Sequence, residues 1–304
     1  MPVTRKIAKV IKSKPTLEGA GVHLKRAFGF TETKLFDPFL LLDDFRGDSP
    51  ELYEKGFPWH PHRGIETITY VLRGEVAHGD SLGNAGVIGV GDVQWMTAGS
   101  GIIHQEMPSG DAEGKMYGFQ LWANLPRKDK MIDPHYQGVV DSEIPRVRLG
   151  NGIEIRVVCG EVMGQRGPVE NVTIQPEYLD VSVPPQSIFT REFPVDHTVL
   201  AYVFEGSGLF CDDLDPFDYD IEGANYFDTE HKPQLGNTSL ILFGAGEQIK
   251  VTTTDSSVRF LLISGRPIRE PVAWYGPIVM NTVAELRTAF DELEKGTFIK
   301  YEPK

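Results

Sequence analysis

A strand-then-glycine phrase occurs twice in this chain and limits its folds more than any other feature does. Ile68-Thr69-Tyr70-Val71-Leu72-Arg73-Gly74 overlays Leu200-Ala201-Tyr202-Val203-Phe204-Glu205-Gly206. A second pair of anchors aligns Val90-Gly91-Asp92 with Ala245-Gly246-Glu247, the later copy carrying an acidic insertion over residues 212–234. Self-similarity at that separation predicts two related lobes. Short apolar runs bounded by Gly, Asn or Asp predict strands at 65–72, 93–97, 116–122, 153–158, 179–183, 199–204, 239–243, 248–253 and 260–263. The 32 Gly and 21 Pro are spread along all 304 residues, so short elements joined by turns are expected in place of long helices.

Helix signals gather at the end of the chain. Thr282 and Glu285 have the spacing of a capping box, and Val283, Leu286, Phe290 and Leu293 make one apolar stripe before Gly296. That helix is expected to pack across a sheet. The segment 125–143 mixes Pro126, Arg127, Lys128, Asp129 and Pro134 like a crossing between lobes, which puts the lobes at 1–140 and 141–304. Near the N-terminus Arg5, Lys6, Lys9, Lys12 and Lys14 alternate with Ile7, Val10 and Ile11, as in an exposed edge strand kept soluble by lysines. Within the insertion Asp218, Asp220, Glu222 and Gly223 mimic the start of a calcium loop. Thr229 stands where the terminal bidentate Glu belongs, so a solvated loop is expected there.

A formal charge of −13 with no basic stripe would repel a phosphate backbone, which argues against direct nucleic-acid binding. Cys159 and Cys211 make neither a disulfide framework nor a thiolate metal cluster, and no apolar run is long enough to span a bilayer. A reducing, cytoplasmic setting and a monomer are the default expectations, with no membrane partner.

Chemistry concentrates in two phrases. In Trp59-His60-Pro61-His62-Arg63-Gly64-Ile65-Glu66 the two histidines stand two apart, so on a strand both imidazoles turn to one face, and Glu66 has the same parity. In Ser100-Gly101-Ile102-Ile103-His104-Gln105-Glu106 the device recurs with His104 and Glu106. Two pairs from two strands can close one site. Three imidazoles and a carboxylate without sulfur suit one divalent ion of the iron, manganese, nickel, copper or zinc type. Four such ligands on an octahedral ion leave two positions for substrate or dioxygen, whereas a structural zinc would more often take Cys in a closed tetrahedron. Spacing alone leaves Glu66 and Glu106 equivalent as the carboxylate. His23, His78, His135, His197 and His231 show no partner pattern. Phe57, Trp59, Met96 and Phe119 are candidates for an apolar mouth, with core packing the alternative for each.

These phrases resemble the bicupin family called pirin. The likeness rests on His60-Pro61-His62-Arg63-Gly64-Ile65-Glu66-Thr67, Gly91-Asp92-Val93-Gln94-Trp95-Met96-Thr97-Ala98-Gly99 and Gly118-Phe119-Gln120-Leu121-Trp122. It extends to Arg269-Glu270-Pro271-Val272 and Gly276-Pro277-Ile278-Val279-Met280-Asn281-Thr282. It implies a mostly β bicupin of two antiparallel jelly-roll barrels with a C-terminal helix. It also implies iron held at His60, His62, His104 and Glu106. The general cupin pattern would select Glu66 instead; under the pirin resemblance Glu66 becomes a support for a ligand or a proton acceptor. The repeat anchors set Glu192 and Pro194 near the His60 and His62 positions and Arg259 near that of His104, so the second lobe is expected to bind no metal.

The resemblance implies a quercetin 2,3-dioxygenase that opens the heterocyclic ring of quercetin-like flavonols with dioxygen, Glu106 or Glu66 accepting the substrate proton. One alternative is a metal- and redox-dependent binding protein or transcriptional co-regulator whose acidic surface favours a basic protein partner. Another is a different cupin activity, isomerisation or decarboxylation of a small oxygenated substrate.

Overall fold

Apolar runs become strands here where both of their faces can be covered. Ile65–Arg73 is buried from Ile65 through Val71, and Ser239–Phe243 is buried throughout. Two-sided burial of this kind requires material on each side of a sheet. The computed structural model describes residues 2–212, 215, 217–223 and 232–301. Among them are many short strands and one α-helix. No helix of the described residues is long and apolar enough to cross a membrane.

The chain divides into two compact units. One joins Pro15–Glu143 to the segment from Ile268 onward, and the other joins the residues up to Lys14 to Ile144–Pro267. The expected lobes 1–140 and 141–304 differ from this at both termini. The backbone N–H groups of Ile268 and Arg269 donate to the Asp37 carboxylate at 3.1 and 2.6 Å, which draws the last segment onto the first lobe. The N-terminal strand Ile7–Lys12 pairs instead with Ser239–Phe243.

In the first lobe a seven-stranded sheet runs in the order His135–Val139, Val93–Thr97, Ile65–Arg73, Tyr117–Asn124, Phe39–Asp44, Val22–Phe28, Lys14–Glu18. A four-stranded sheet, Phe57–His62, Ile102–Ser109, Glu75–Asp80 and Ala85–Ile88, packs on it through Val71, Phe45, Val76 and Ile88. Phe57–His62 and Ile65–Arg73 are two residues apart yet belong to different sheets. The chain crosses at Gly64, where φ is +77° and an added Cβ would meet the Val279 carbonyl, so this turn admits glycine alone. The sheets therefore stay separate and do not close into the barrels that the resemblance implied, while the mostly β, two-lobed organisation with a C-terminal helix is as expected. Each lobe is built mainly of two separate sheets, and in the first lobe the Gly64 turn passes the chain from one to the other.

The helix Val283–Glu294 carries the expected capping box: Thr282 Oγ1 accepts from the Glu285 N–H at 3.2 Å, and Glu285 accepts from the Thr282 N–H at 2.8 Å. Leu286 and Ala289 are buried against Ile278, Met280 and Phe298. Val283, expected in the stripe, is exposed, and Ala289 takes its place.

In the second lobe Arg146–Arg148, Glu154–Cys159, Glu177–Val183, Val258–Gly265, Thr198–Gly208, Ser239–Phe243, Ile7–Lys12 and Asp220–Glu222 follow one another across one sheet. Ile188–Glu192 pairs with Gln248–Thr252 beside it. Phe189 and Phe260, with ring centroids 6.1 Å apart, fill the space between these sheets with apolar side chains. Two expectations are corrected here. Ile7–Lys12 is not an exposed edge, since Asp220–Glu222 pairs alongside it and Lys9 and Lys14 meet Glu222 at 2.8 and 2.9 Å. That part of the insertion is thus a strand and not a solvated loop; Thr229 and His231 lie outside the described residues.

The first repeat anchor is structural: Gly74, just past its strand, and Gly206, within Thr198–Gly208, both have positive φ, and Tyr70 and Tyr202 are both fully buried. The second is displaced by one strand. Ser239–Phe243 pairs with Thr198–Gly208 as Val93–Thr97 pairs with Ile65–Arg73, whereas Ala245-Gly246-Glu247 precedes a strand of the smaller sheet. A glycine-acidic turn serves at either junction, so the phrase cannot fix the register. Arg259 consequently has no relation to the His104 position; it forms a two-pronged ion pair with Asp180 at 2.9 and 2.7 Å.

Candidate metal centre

Strands Phe57–His62 and Ile102–Ser109 pair antiparallel with His104 opposite His60 and Ile102 opposite His62. This register brings the three imidazoles together, tilted or edge-on to one another with ring centroids 4.3 to 4.9 Å apart, and their ligating nitrogens all lie within 4.8 Å of one another.

Hydrogen bonds fix which nitrogens point inward. His60 Nδ1 lies 2.8 Å from the Pro58 carbonyl and His62 Nδ1 lies 3.1 Å from the Pro277 carbonyl. A carbonyl can only accept, so each Nδ1 carries the proton and each Nε2 presents a lone pair. The two Nε2 atoms are 3.0 Å apart, and no proton of a neutral ring lies between them. His104 is fully buried, and neither ring nitrogen has a protein partner. Two converging lone pairs beside a third, unpartnered imidazole are a costly arrangement that a cation relieves. The 3.0 Å spacing also matches two ligands bonded at about 2.1 Å and at about a right angle. The residues therefore fit a transition-metal ion.

Burial, reinforced by the neighbouring His60, holds the His62 imidazole well below the ordinary histidine pKa. Burial, with His62 beside it, does the same at His104. Both rings stay neutral at neutral pH, the form that binds metal.

Glu106 stands two residues past His104, beyond a register shift in the strand, and is buried. It accepts the Thr69 hydroxyl proton on Oε1 at 2.8 Å, and the Gln120 side-chain amide lies 3.0 Å from the same hydroxyl. Its carboxylate is outside the tight histidine group but lines the same cavity as His60 and His62. That cavity, about 610 Å³, is walled by Leu24, Leu41, Phe45, Phe57, Trp122 and Trp274. Trp122 packs edge-on against His62 at 4.9 Å.

Comparison with known proteins matches residues 21–123 to the family described as Pirin, and residues 178–299 to the Pirin C-terminal cupin domain. The chain belongs to the pirin family. A pirin-like protein of Caulobacter vibrioides is 40% identical over 299 residues, covering 98% of this chain and all of that one. A crystal structure of quercetin 2,3-dioxygenase from Acinetobacter baumannii superposes with a TM-score of 0.84 at 30% identity, covering 97% of this chain and 98% of that one. A bacterial pirin from Escherichia coli, solved with nickel(II), shares the fold at 20% identity and a TM-score of 0.62, over 85% of this chain and 98% of that one. Two cupin-type domains are what this pirin shares with its relatives, and its own first lobe carries the three-histidine group.

The structure separates the two carboxylates that spacing left equivalent. In this pirin the crossing at Gly64 ends the face shared by His60 and His62. Along Ile65–Arg73 it is Thr69 that reaches Glu106, so Glu66, of opposite parity, points away from the cavity. There it accepts from Thr97 Oγ1 at 2.8 Å and faces the buried indole of Trp95. Burial pushes its pKa up to about 7, against the opposing pull of the Thr97 hydroxyl and the Trp95 indole.

Of the expected mouth residues Phe57 lines the cavity, Trp59 is 55% exposed, and Met96 and Phe119 are fully buried. Phe119 lies on the face of its strand opposite Gln120 and Trp122. Sequence reasoning passed over His78, whose ring centroid is 5.5 Å from that of His104 and which touches Asp80 at 3.3 Å and Gln94 at 3.0 Å. It also passed over Pro277, whose carbonyl orients His62. The family phrase Gly276-Pro277 was a signal, but nothing local assigned it to the histidines.

Proposed function

We propose that this pirin is a metal-dependent dioxygenase of quercetin-like flavonols, with iron as its ion. The observation that carries the reading is the inward lone pairs of His60 and His62, with the unpartnered imidazole of His104, beside an aromatic-walled cavity. Glu106 is proposed as the fourth ligand, on the strength of its place in that cavity wall, with Glu66 as a buried structural carboxyl.

A divalent ion held there would supply Lewis acidity toward the adjacent hydroxyl and keto oxygens of a flavonol and a route for dioxygen. The chain's own residues do the rest. Pro58 and Pro277 hold the imidazole orientation, and Thr69 fixes one oxygen of Glu106, leaving the other to accept the proton of the substrate hydroxyl. Trp122, Trp274 and Phe57 cover the planar ring faces and exclude water. The name of the Acinetobacter relative supports the substrate class. The deciding experiment is oxygen uptake by iron-loaded protein with quercetin. Uptake in proportion to bound iron is expected, and a well-loaded protein that consumes no oxygen with several flavonols would end this reading.

A further inference from the structure

The floor of the cavity is crossed by a polar row. Thr69, Gln120, Asp43 and Arg26 sit side by side on four neighbouring strands, because Gln120 pairs with both Thr69 and Asp43, and Asp43 pairs with Arg26. With strands about 4.8 Å apart, the row runs about 14 Å from Thr69, which touches Glu106, to Arg26. Beside Gln120, Asp43 and Arg26 the flanking side chains are apolar, Leu41 and Trp122 on one side and Leu24 and Phe45 on the other. Polar groups set in such a surface are costly unless something bonds to them along the row.

The far end offers both donors and acceptors. Arg26 Nε and Nη2 donate to the two Asp43 oxygens at 2.8 and 2.7 Å, and Nη1 meets Glu18 at 2.8 Å. A guanidinium has five N–H groups, so two remain, while the carboxylates of Asp43 and Glu18 keep spare lone pairs. Asp43 is 5% exposed and Arg26 is held on two sides, so this end is rigid before any ligand arrives. A phenolic hydroxyl, which donates and accepts at once, matches it. Trp122 and Trp274, with ring centroids 5.8 Å apart, and Phe30, 5.4 Å from Trp274, supply faces for the rings between.

We infer that Arg26, held by Asp43 and Glu18, determines substrate specificity by binding phenolic hydroxyls at the end of an elongated aromatic substrate remote from the histidines. The inference rests on the flavonol reading of the same cavity. An Arg26–Asp43 pair that merely joined two strands would not distinguish one flavonol from another.

The test compares quercetin with 3-hydroxyflavone, which has the same metal-binding oxygens and no other hydroxyl. Affinity is read in metal-loaded protein without oxygen, by quenching of tryptophan fluorescence, and oxygen uptake is read separately. Wild type is expected to favour quercetin by about tenfold to a hundredfold, the range of hydrogen bonds to charged groups, and Arg26→Met to bring the ratio near one. Because Arg26→Met leaves Asp43 buried without its partner, Arg26→Met with Asp43→Leu is a second variant, expected to give the same ratio. A preference that persists in both variants overturns the inference, as does failure of wild type to prefer or to bind quercetin. An Arg26-dependent preference in a protein that consumes no oxygen supports the inference while removing the dioxygenase reading alone.

Discussion

His62 Nδ1 donates to the carbonyl of Pro277, 215 residues further along the chain, at 3.1 Å. This bond ties the orientation of a candidate metal ligand to the C-terminal segment. Lys130 strengthens the tie by donating to the Gly64 carbonyl at 2.8 Å and the Val279 carbonyl at 2.9 Å. Arg63, between His62 and Gly64, reaches Glu292 at 2.8 Å and the Phe298 carbonyl at 2.7 Å.

Arg63 is 2% exposed, and its loss leaves buried carbonyls without donors. Arg63→Met should therefore destabilise the protein by about 3 kcal/mol. Urea unfolding measures it; a change below about 0.5 kcal/mol, the size of an ordinary surface substitution, would show that the tie carries little stability.

Metal content should be about one ion per chain, since His60, His62 and His104 form the one such cluster among the described residues. Elemental analysis of wild type and of His60→Ala/His62→Ala decides this. A second tightly held ion that survives the double substitution would falsify the single-centre reading.

The two carboxylates should separate on substitution. Glu106→Ala should lower metal affinity by at least about tenfold, whereas Glu66→Ala, altering a side chain on the far face of its strand, should change it little. The reverse ranking, read by competition with a chelator, would return the ligand role to Glu66.

Glu66 should also leave a mark on the pH dependence of stability. Its folded pKa is raised to about 7 from an ordinary 4.5, so its contribution is fully present below about 4.5 and is lost as pH rises through about 7. Between about pH 5 and about pH 8.5 the stability of Glu66→Gln should gain on wild type by about 2 to 3 kcal/mol. Parallel curves for the two proteins would mean that the carboxyl is not perturbed.

His62→Ala distinguishes an enzyme from a metal-gated binding module. The substitution removes one lone pair at the cavity side, and the sheets should fold without it. For a dioxygenase, oxygen uptake with a flavonol should fall in step with bound iron. If iron-loaded wild type takes up no oxygen but binds a basic protein partner in a His62-dependent way, the co-regulator reading replaces the enzyme.

Sequence alone marked nine of the strands, the C-terminal helix and the candidate ligands. Strand period put His60 beside His62, the glycine phrase at Gly74 and Gly206 marked two lobes, and Thr282 with Glu285 fixed the helix start, because each of these depends on neighbours a few residues away. Tertiary structure decided what depends on distant partners. Parity carried Glu66 onto the histidine face until Gly64, held open by the approach of Val279, sent the chain into another sheet. The strand Asp220–Glu222 covers the edge that the lysine pattern left open. Asp37 drew the C-terminal segment to the first lobe, where the Pro277 carbonyl fixed the His62 tautomer. The polar row from Thr69 to Arg26 arises from pairing across four strands, a register that side-chain periodicity within one strand cannot specify.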